Sequence, residues 1–186
     1  MKKIFPLALI IFGMVLLAGG GFTLSRGFTA RDDIKAELLA QNITTPEDAS
    51  IPGVRVENAA TAKSMAEIIN HHALESSGGK TYSEMGRFTA LSGVPEGTSN
   101  ADEAVKGADG KPVANALRNS AFQASALRTS LLTSVMAFGV TDLVLGLGLL
   151  LLALGLAVAG VGVALAGLAI PAFGRKFHVQ PVAATA

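Results

Sequence analysis

The sequence lacks cysteine and tryptophan altogether, and aromatic residues make up only 5% of its 186 positions. The absence of cysteine excludes disulfides, thiolate metal sites, cysteine nucleophiles and a lipid-modified N-terminal cysteine. Strong charge is missing too: the formal net charge is +1, and no run of Lys and Arg is longer than two residues. A nucleic-acid partner is therefore not expected, because proteins that bind nucleic acids present a basic patch or stripe.

Apolar residues, by contrast, make up half of the chain and are concentrated at its two ends. The longest apolar run covers residues 131–173 and is closed by Arg175 and Lys176. Its 43 residues contain a single charge, Asp142. As one helix the run would reach about 65 Å, whereas about 20 residues suffice to cross a bilayer core. We therefore predict an integral membrane protein whose second transmembrane span lies at about residues 143–170 within this long apolar helix.

The first apolar segment, residues 4–24, follows Lys2 and Lys3. As a helix it would span about 30 Å, enough for one crossing, and we predict transmembrane helix 1 here. The alternative is a signal peptide cleaved after Gly20. An uncleaved anchor is favoured because the apolar stretch continues beyond that point. We expect the helix to extend outward as an amphipathic segment with Ile34 and Leu38 on one side.

The distribution of basic residues at the span ends gives the predicted topology. Arg175 and Lys176 place the C-terminal tail, residues 174–186, in the cytoplasm, and an uncleaved Lys-Lys start places residues 1–3 there too. The polar region between the spans, residues 25–130, is then extracytoplasmic. The predicted fold class is an all-α membrane protein of a bacterial plasma membrane. Two transmembrane helices flank a mainly helical external region that contains a flexible loop.

The polar region contains thirteen of the fourteen acidic residues. Its clearest predicted helix covers residues 58–77, with an apolar stripe at helical spacing and a stop at Gly78-Gly79. Thr45-Pro46-Glu47-Asp48 predicts the start of a shorter helix. Residues 91–111, with four glycines, Pro95 and little apolar content, predict a mobile loop. The apolar stripe of the helix predicted at residues 58–77 consists of Ala62, Met65, Ile68, Ile69 and Ala73.

Small residues recur every seven positions along the last apolar run and mark faces that another helix can approach closely. So long a seam favours one continuous helix. The alternative, a hairpin with its turn near residues 152–157, has no polar residue there to satisfy the turn. We therefore predict packing against other membrane proteins or a second copy, within the lipid bilayer. The small residues form two lines along the helix. The first line is Gly139, Gly146, Ala153, Gly160 and Gly167, and the second is Gly148, Gly155 and Gly162.

Two polar features flank this run. Asn115, Asn119 and Gln123 form an amide stripe at positions i, i+4 and i+8 on the helix that approaches the membrane, and we predict that it contributes to protein contacts. Asp142 is expected at the outer membrane interface, since an acid at the bilayer centre would cost about 2.5–3.5 kcal/mol. In the alternative hypothesis Asp142 lines a polar path, and the chain is an accessory subunit of a transporter or channel.

Neither of the two candidate chemical motifs is complete. Gly79-Lys80-Thr81 resembles the end of a phosphate-binding loop, but the motif requires a glycine where Leu74 stands, and the segment follows a helix instead of a strand. His72 and Glu75 share a helix face, whereas His71 points about 100° away. Two adjacent histidines on a helix do not converge on one metal ion. We predict no catalytic, cofactor-binding or metal site.

Two blocks of sequence resemble a known family. The first joins residues 43–49 to residues 72–84, and the second runs from residue 119 to residue 140. In order and spacing they resemble small actinobacterial membrane proteins of unknown function, over roughly residues 4–157. The most specific positions are His72, Glu75, Gly78, Gly79, Lys80, Thr81 and Tyr82.

The resemblance implies an N-terminal anchor, an external helical segment and a C-terminal span. This chain departs from the family in a longer loop at residues 91–111 and in the Gly-rich tract from residue 157, which extends the second span. Members are often labelled aromatic ring-opening dioxygenases. Ring opening at non-haem iron needs convergent His and carboxylate ligands, and this chain lacks such a set. We therefore expect no enzymatic activity and identify no small-molecule substrate. A dioxygenase-type enzyme is the less favoured alternative.

Overall fold

The computed structural model describes residues 4–169. The residues predicted as cytoplasmic, 1–3 and 174–186, and the last residues of the predicted apolar helix, 170–173, lie outside this range. The described part is helical and has isolated β-bridges but no strand. Its elements in chain order are α1 (Ile4–Ala40), α2 (Ala59–Ser76), a short 3₁₀ helix (Tyr82–Glu84) and α3 (Ala116–Ala169).

The two long helices, α1 and α3, are long and apolar enough to cross a membrane. Their 37 and 54 residues correspond to roughly 55 Å and 80 Å. α3 continues without a break through residues 152–157, so the described part of the apolar run is one helix and not a hairpin. α1 likewise extends well past the predicted span to Ala40, as the amphipathic continuation predicts.

The chain divides into two compact units. Residues 4–30 and 141–169 form the first unit, called here the helical pair. Residues 31–140 form the second, called the central unit. In the helical pair, large apolar side chains such as Phe12, Leu143 and Leu156 are exposed. In the central unit the charged residues lie mostly on the surface, around a small buried core.

The core of the central unit joins one helical segment from each of α1, α2 and α3. Its buried residues are apolar, and Phe138 and Val56 are almost inaccessible to solvent. Arg31 covers one side of this core, with its guanidinium carbon 5.6 Å from the centre of the Phe138 ring. The core thus fixes how the three helices meet. Its members are Leu38, Val56, Ala62, Ala66, Leu131 and Phe138.

α2 begins one residue later than predicted because Asn58 is its N-cap. The Asn58 side chain accepts a hydrogen bond from the backbone N–H of Thr61, and the Thr61 hydroxyl accepts from the backbone N–H of Asn58. This reciprocal capping satisfies two of the free N–H groups at the helix start. The helix ends at Ser76, just before Gly78, whose φ of 65° is in the left-handed region.

The short helix predicted from Thr45 does not form, and this prediction is wrong. Residues 46–53 make successive turns instead. The Thr45 hydroxyl bonds the backbone of Val54, and the Ser64 hydroxyl accepts from Ser50 and from the Ile51 N–H. Proline followed by acidic residues is equally typical of a turn, and these side-chain bonds favour it here.

Residues 86–115 contain more structure than the predicted loop. Antiparallel bridges pair Phe88 with both Thr98 and Ala114, and Ala90 with Ala104. The backbone N–H and carbonyl of Phe88 each exchange a 2.9 Å hydrogen bond with Thr98. Sequence composition did not predict this organisation because it depends on backbone hydrogen bonds between residues that are distant in the chain, such as Thr89 and Val113.

Candidate functional site

The backbones of α1 and α3 approach each other closely where α3 has no side chain. Gly155 is buried, and a methyl group placed on it would lie 2.9 Å from the carbonyl oxygen of Gly13 and from the backbone nitrogen of Leu17. Non-bonded carbon atoms prefer separations of about 3.5–4.0 Å, so no side chain fits. The same tight approach recurs at Gly148 against Leu24 and at Gly162 against Ile10.

α1 contributes a matching line of glycines that the sequence analysis did not identify. Gly13, Gly20 and Gly27 are buried and also lie seven residues apart. A methyl group on Gly13 would lie 2.8 Å from the Gly155 carbonyl oxygen, and one on Gly20 would lie 2.9 Å from that of Gly148. The signal was the shared seven-residue period in both apolar segments, which indicates two helices that pack along one seam.

The other predicted line on α3 is open. A methyl group at Gly139, Gly146, Gly160 or Gly167 would meet no atom within 4 Å, and Ala153 is exposed. Gly146, Ala153 and Gly160 of this line each stand two residues before a glycine of the filled line. At about 100° per residue, the two lines lie nearly opposite each other around the helix. One face of α3 is therefore filled by α1, and the far face carries small residues with nothing packed on them among residues 4–169.

Asn115 does not belong to an exposed amide stripe. It is buried and caps α3: its side-chain oxygen accepts from the backbone N–H groups of Leu117 and Arg118. Its amide group donates to the carbonyl oxygens of Gly86 and Glu96, at 3.2 and 3.1 Å. One side chain thus joins the start of α3 to the bridged loop. The other two residues of the stripe, Asn119 and Gln123, are exposed.

His71 and His72 form two separate pairs with acidic residues. His72 Nε2 lies 2.6 Å from the Asp48 carboxylate, while His71 Nε2 lies 4.0 Å from Glu75. The hydrogen bond with His72 lowers the pKa of Asp48 below its ordinary value. Glu75 therefore faces His71 and not His72. Within residues 4–169 no three His, Cys, Asp or Glu side chains are grouped as ligands for a metal ion.

The block of residues 72–84 runs from the end of α2 to a contact with α3. Gly78 and Gly79 have φ angles of 65° and 83°, which allow the chain to turn after α2. Tyr82 then packs against α3: its ring centre lies 5.4 Å from that of Phe122 and 4.1 Å from the Arg118 guanidinium carbon. These contacts give the block a structural role in joining two helices.

Lys80 and Thr81 belong to the same turn, but they do not form a phosphate-binding loop. Glu84 accepts hydrogen bonds from the hydroxyl and the backbone N–H of Thr81, at 2.7 and 2.8 Å. The hydroxyl bond is the larger cause of a lowered pKa for the Glu84 carboxyl. The Thr81 hydroxyl thus uses its proton in the hydrogen bond to Glu84.

Asp142 is exposed on α3, one residue after the buried Thr141. Both residues have an interaction partner. Asp142 therefore already interacts with another group, and its position does not by itself support the hypothesis that it lines a polar path.

No protein-family model, curated protein or solved structure matches this chain. The function is therefore argued from the geometry of the chain itself.

Proposed function

We propose that the chain is a two-span, non-enzymatic protein of a bacterial plasma membrane that acts by binding other membrane proteins or a second copy of itself. The open small-residue line of α3 would receive a partner helix, and the central unit would lie outside the cytoplasm and contact proteins there. Both helices of the pair expose large apolar side chains, including Phe5, Leu149 and Leu154. Lipid is the environment in which such surfaces are stable.

One observation carries the proposal: α3 has two opposite small-residue lines, and α1 occupies only one of them. Between helices in lipid, association depends on close backbone approach, because lipid tails are as apolar as the side chains. The filled line shows that a seven-residue glycine repeat in this chain does bring two backbones into contact. The open line repeats the same spacing on the far face of the same helix.

The central test blocks the open line. Replacing Gly146 and Gly160 together with Leu should reduce self-association, or capture of a membrane partner, by about tenfold or more in a membrane two-hybrid assay. The control is the double replacement of Gly19 and Gly21 with Leu on α1, which are also open glycines but belong to the other helix. Association that is unchanged by the α3 replacements would contradict the proposal.

A second experiment tests topology and uses the absence of native cysteine as a clean background. A cysteine at the exposed Ser83 should react with an impermeant maleimide in intact cells. A cysteine at Ala184 should react only after the membrane is permeabilised. Labelling of both in intact cells would contradict the two-span arrangement.

The anchor should also be retained in the mature protein. Cleavage after Gly20 would remove Gly13 and Leu17, against which Gly155 packs. The mass of the purified protein, measured by mass spectrometry, is expected to include residues 4–20. A mass that corresponds to a chain beginning at residue 21 would show that the mature protein does not contain the helical pair described here.

A further inference from the structure

The central unit contains a cavity of about 740 Å³ between segments of α1, α2 and α3. Its floor is formed by the buried Leu38 and Leu131, and Ile34, Met65 and Ile69 line its walls. The volume lies within the range of about 300–1,000 Å³ that is usual for small-molecule sites. Such a volume, with an apolar floor, suits a ligand with a substantial hydrocarbon part.

The charges at the cavity are all of one sign. Asp33 and Glu37 stand one turn apart on the α1 wall, and the lining contains no Lys, Arg or His. Within the described part of the chain, neither carboxylate makes an ion pair or a hydrogen bond. The nearby Lys35 is instead paired with Glu57, at 3.2 Å. Both carboxylates are exposed to solvent at the cavity, and no side chain of the central unit forms an ion pair with them.

The opposite wall offers acceptors as well. Ser130, Thr133 and Ser134 of α3 line the cavity, and each donates its hydroxyl proton to a backbone carbonyl four residues earlier. With these protons used within the helix, the oxygen lone pairs remain available to the cavity. Hydroxyl oxygens on one wall and carboxylates on the other all require a donor from the ligand.

We propose that this cavity binds a small amphiphilic amine, with its ammonium group beside Asp33 and Glu37 and its hydrocarbon chain against Leu38 and Leu131. An ammonium group supplies three donors and one positive charge, which matches acceptors that carry negative charge. An anionic amphiphile would be repelled by the two carboxylates, and a neutral one would gain no electrostatic attraction from them. The proposal concerns the central unit alone and does not depend on the open line of α3.

The probe is radiolabelled dodecylamine, measured on the full-length protein in nanodiscs of zwitterionic phospholipid, with empty nanodiscs subtracted. We expect one saturable site. Dodecanol, which has the same chain without the charge, should bind about tenfold more weakly or worse, and dodecyl sulfate should not compete. Equal competition by dodecanol and dodecylamine would overturn the proposal.

Variants locate the site. The isosteric pair Asp33→Asn and Glu37→Gln should weaken dodecylamine binding by about tenfold or more. The matched control, Asp32→Asn with Glu47→Gln, removes two exposed carboxylates outside the cavity and should leave binding unchanged. Ala137→Leu, which fills part of the wall, should weaken the binding of dodecylamine and of dodecanol alike. Circular dichroism confirms that each variant is folded.

Two outcomes would overturn the assignment. In the first, both double variants reduce binding equally, which would mean that the amine responds only to the general negative charge of the protein. In the second, a short amphipathic peptide of Leu and Lys saturates the cavity while dodecylamine does not, which would identify the cavity as a peptide-binding groove.

Discussion

The helical pair and the central unit are held together in different ways. In the pair, glycines allow the backbones of α1 and α3 to touch: at Gly13 and Gly155 there is no room for even one methyl group. In the central unit, polar side chains bond to backbone groups, as Asn115 and Asn58 do. The difference shows that an apolar segment obtains specific packing by removing side chains, whereas a polar segment obtains it by hydrogen bonding.

The largest effect is expected where the glycine seam is blocked. Gly155→Leu should destabilise the helical pair by about 3 kcal/mol, because the side chain meets the α1 backbone and the helices must separate. Gly160→Leu is the matched control, since the site on the open face of α3 has no atom within 4 Å. Reversible unfolding in mixed micelles, at a protein concentration where the chain is monomeric, measures both. Equal losses would show that the two faces do not differ.

An intermediate effect is expected at the hydrogen-bonded hub of the central unit. Asn115→Ala should cost about 2 kcal/mol, because it removes the cap of α3 and leaves the carbonyl of Gly86 without its donor. Asn119→Ala, one turn further along the same helix and exposed, is the control. Thermal unfolding measures stability, and limited proteolysis should cut residues 86–115 faster in the Asn115 variant alone. Similar behaviour of the two variants would contradict the assigned role.

The smallest effect is expected at the exposed pair of Asp48 and His72. The pKa of Asp48 is lower in the folded chain than its ordinary value of 3.8. Its contribution to stability is therefore present above about pH 4 and is lost as the pH falls through the folded value. Asp48→Asn should flatten the stability profile only in this acidic range, and the lowered pKa of Glu84 leaves part of the slope in place. Both partners are exposed, so the change is small. A stability difference between the two proteins that does not shrink as the pH falls below about 4 would contradict this account.

Much of the helical framework is predictable from the sequence because it follows from long regular patterns. Two apolar runs predict α1 and α3, and the stripe ending near Ala73 predicts α2 to within a residue or two. The seven-residue period on α3 marks two lines of small residues, and α1 packs on one of them. Which of its two lines is filled depends on Gly13, Gly20 and Gly27 of α1, a pattern visible only when both helices are considered together.

Other features depend on contacts that no local pattern shows. The role of Asn115 requires the carbonyls of Gly86 and Glu96 to come near it, and these are distant in sequence. The segment after Thr45 could form a helix start or a turn, and the hydroxyl of Ser64 in α2 favours the turn. The cavity likewise combines walls from three helices, so the spacing of Asp33 and Glu37 along α1 alone does not predict it.

Because the glycines repeat every seven residues, the contact surfaces of α1 and α3 fit each other at more than one relative position along the helix axis. Moving α3 along α1 by seven residues, about 10.5 Å, would place Gly13, Gly20 and Gly27 opposite Gly162, Gly155 and Gly148. Glycine would again meet glycine along the whole seam. The contact surface between α1 and α3 in the helical pair therefore accepts more than one alignment of the two helices.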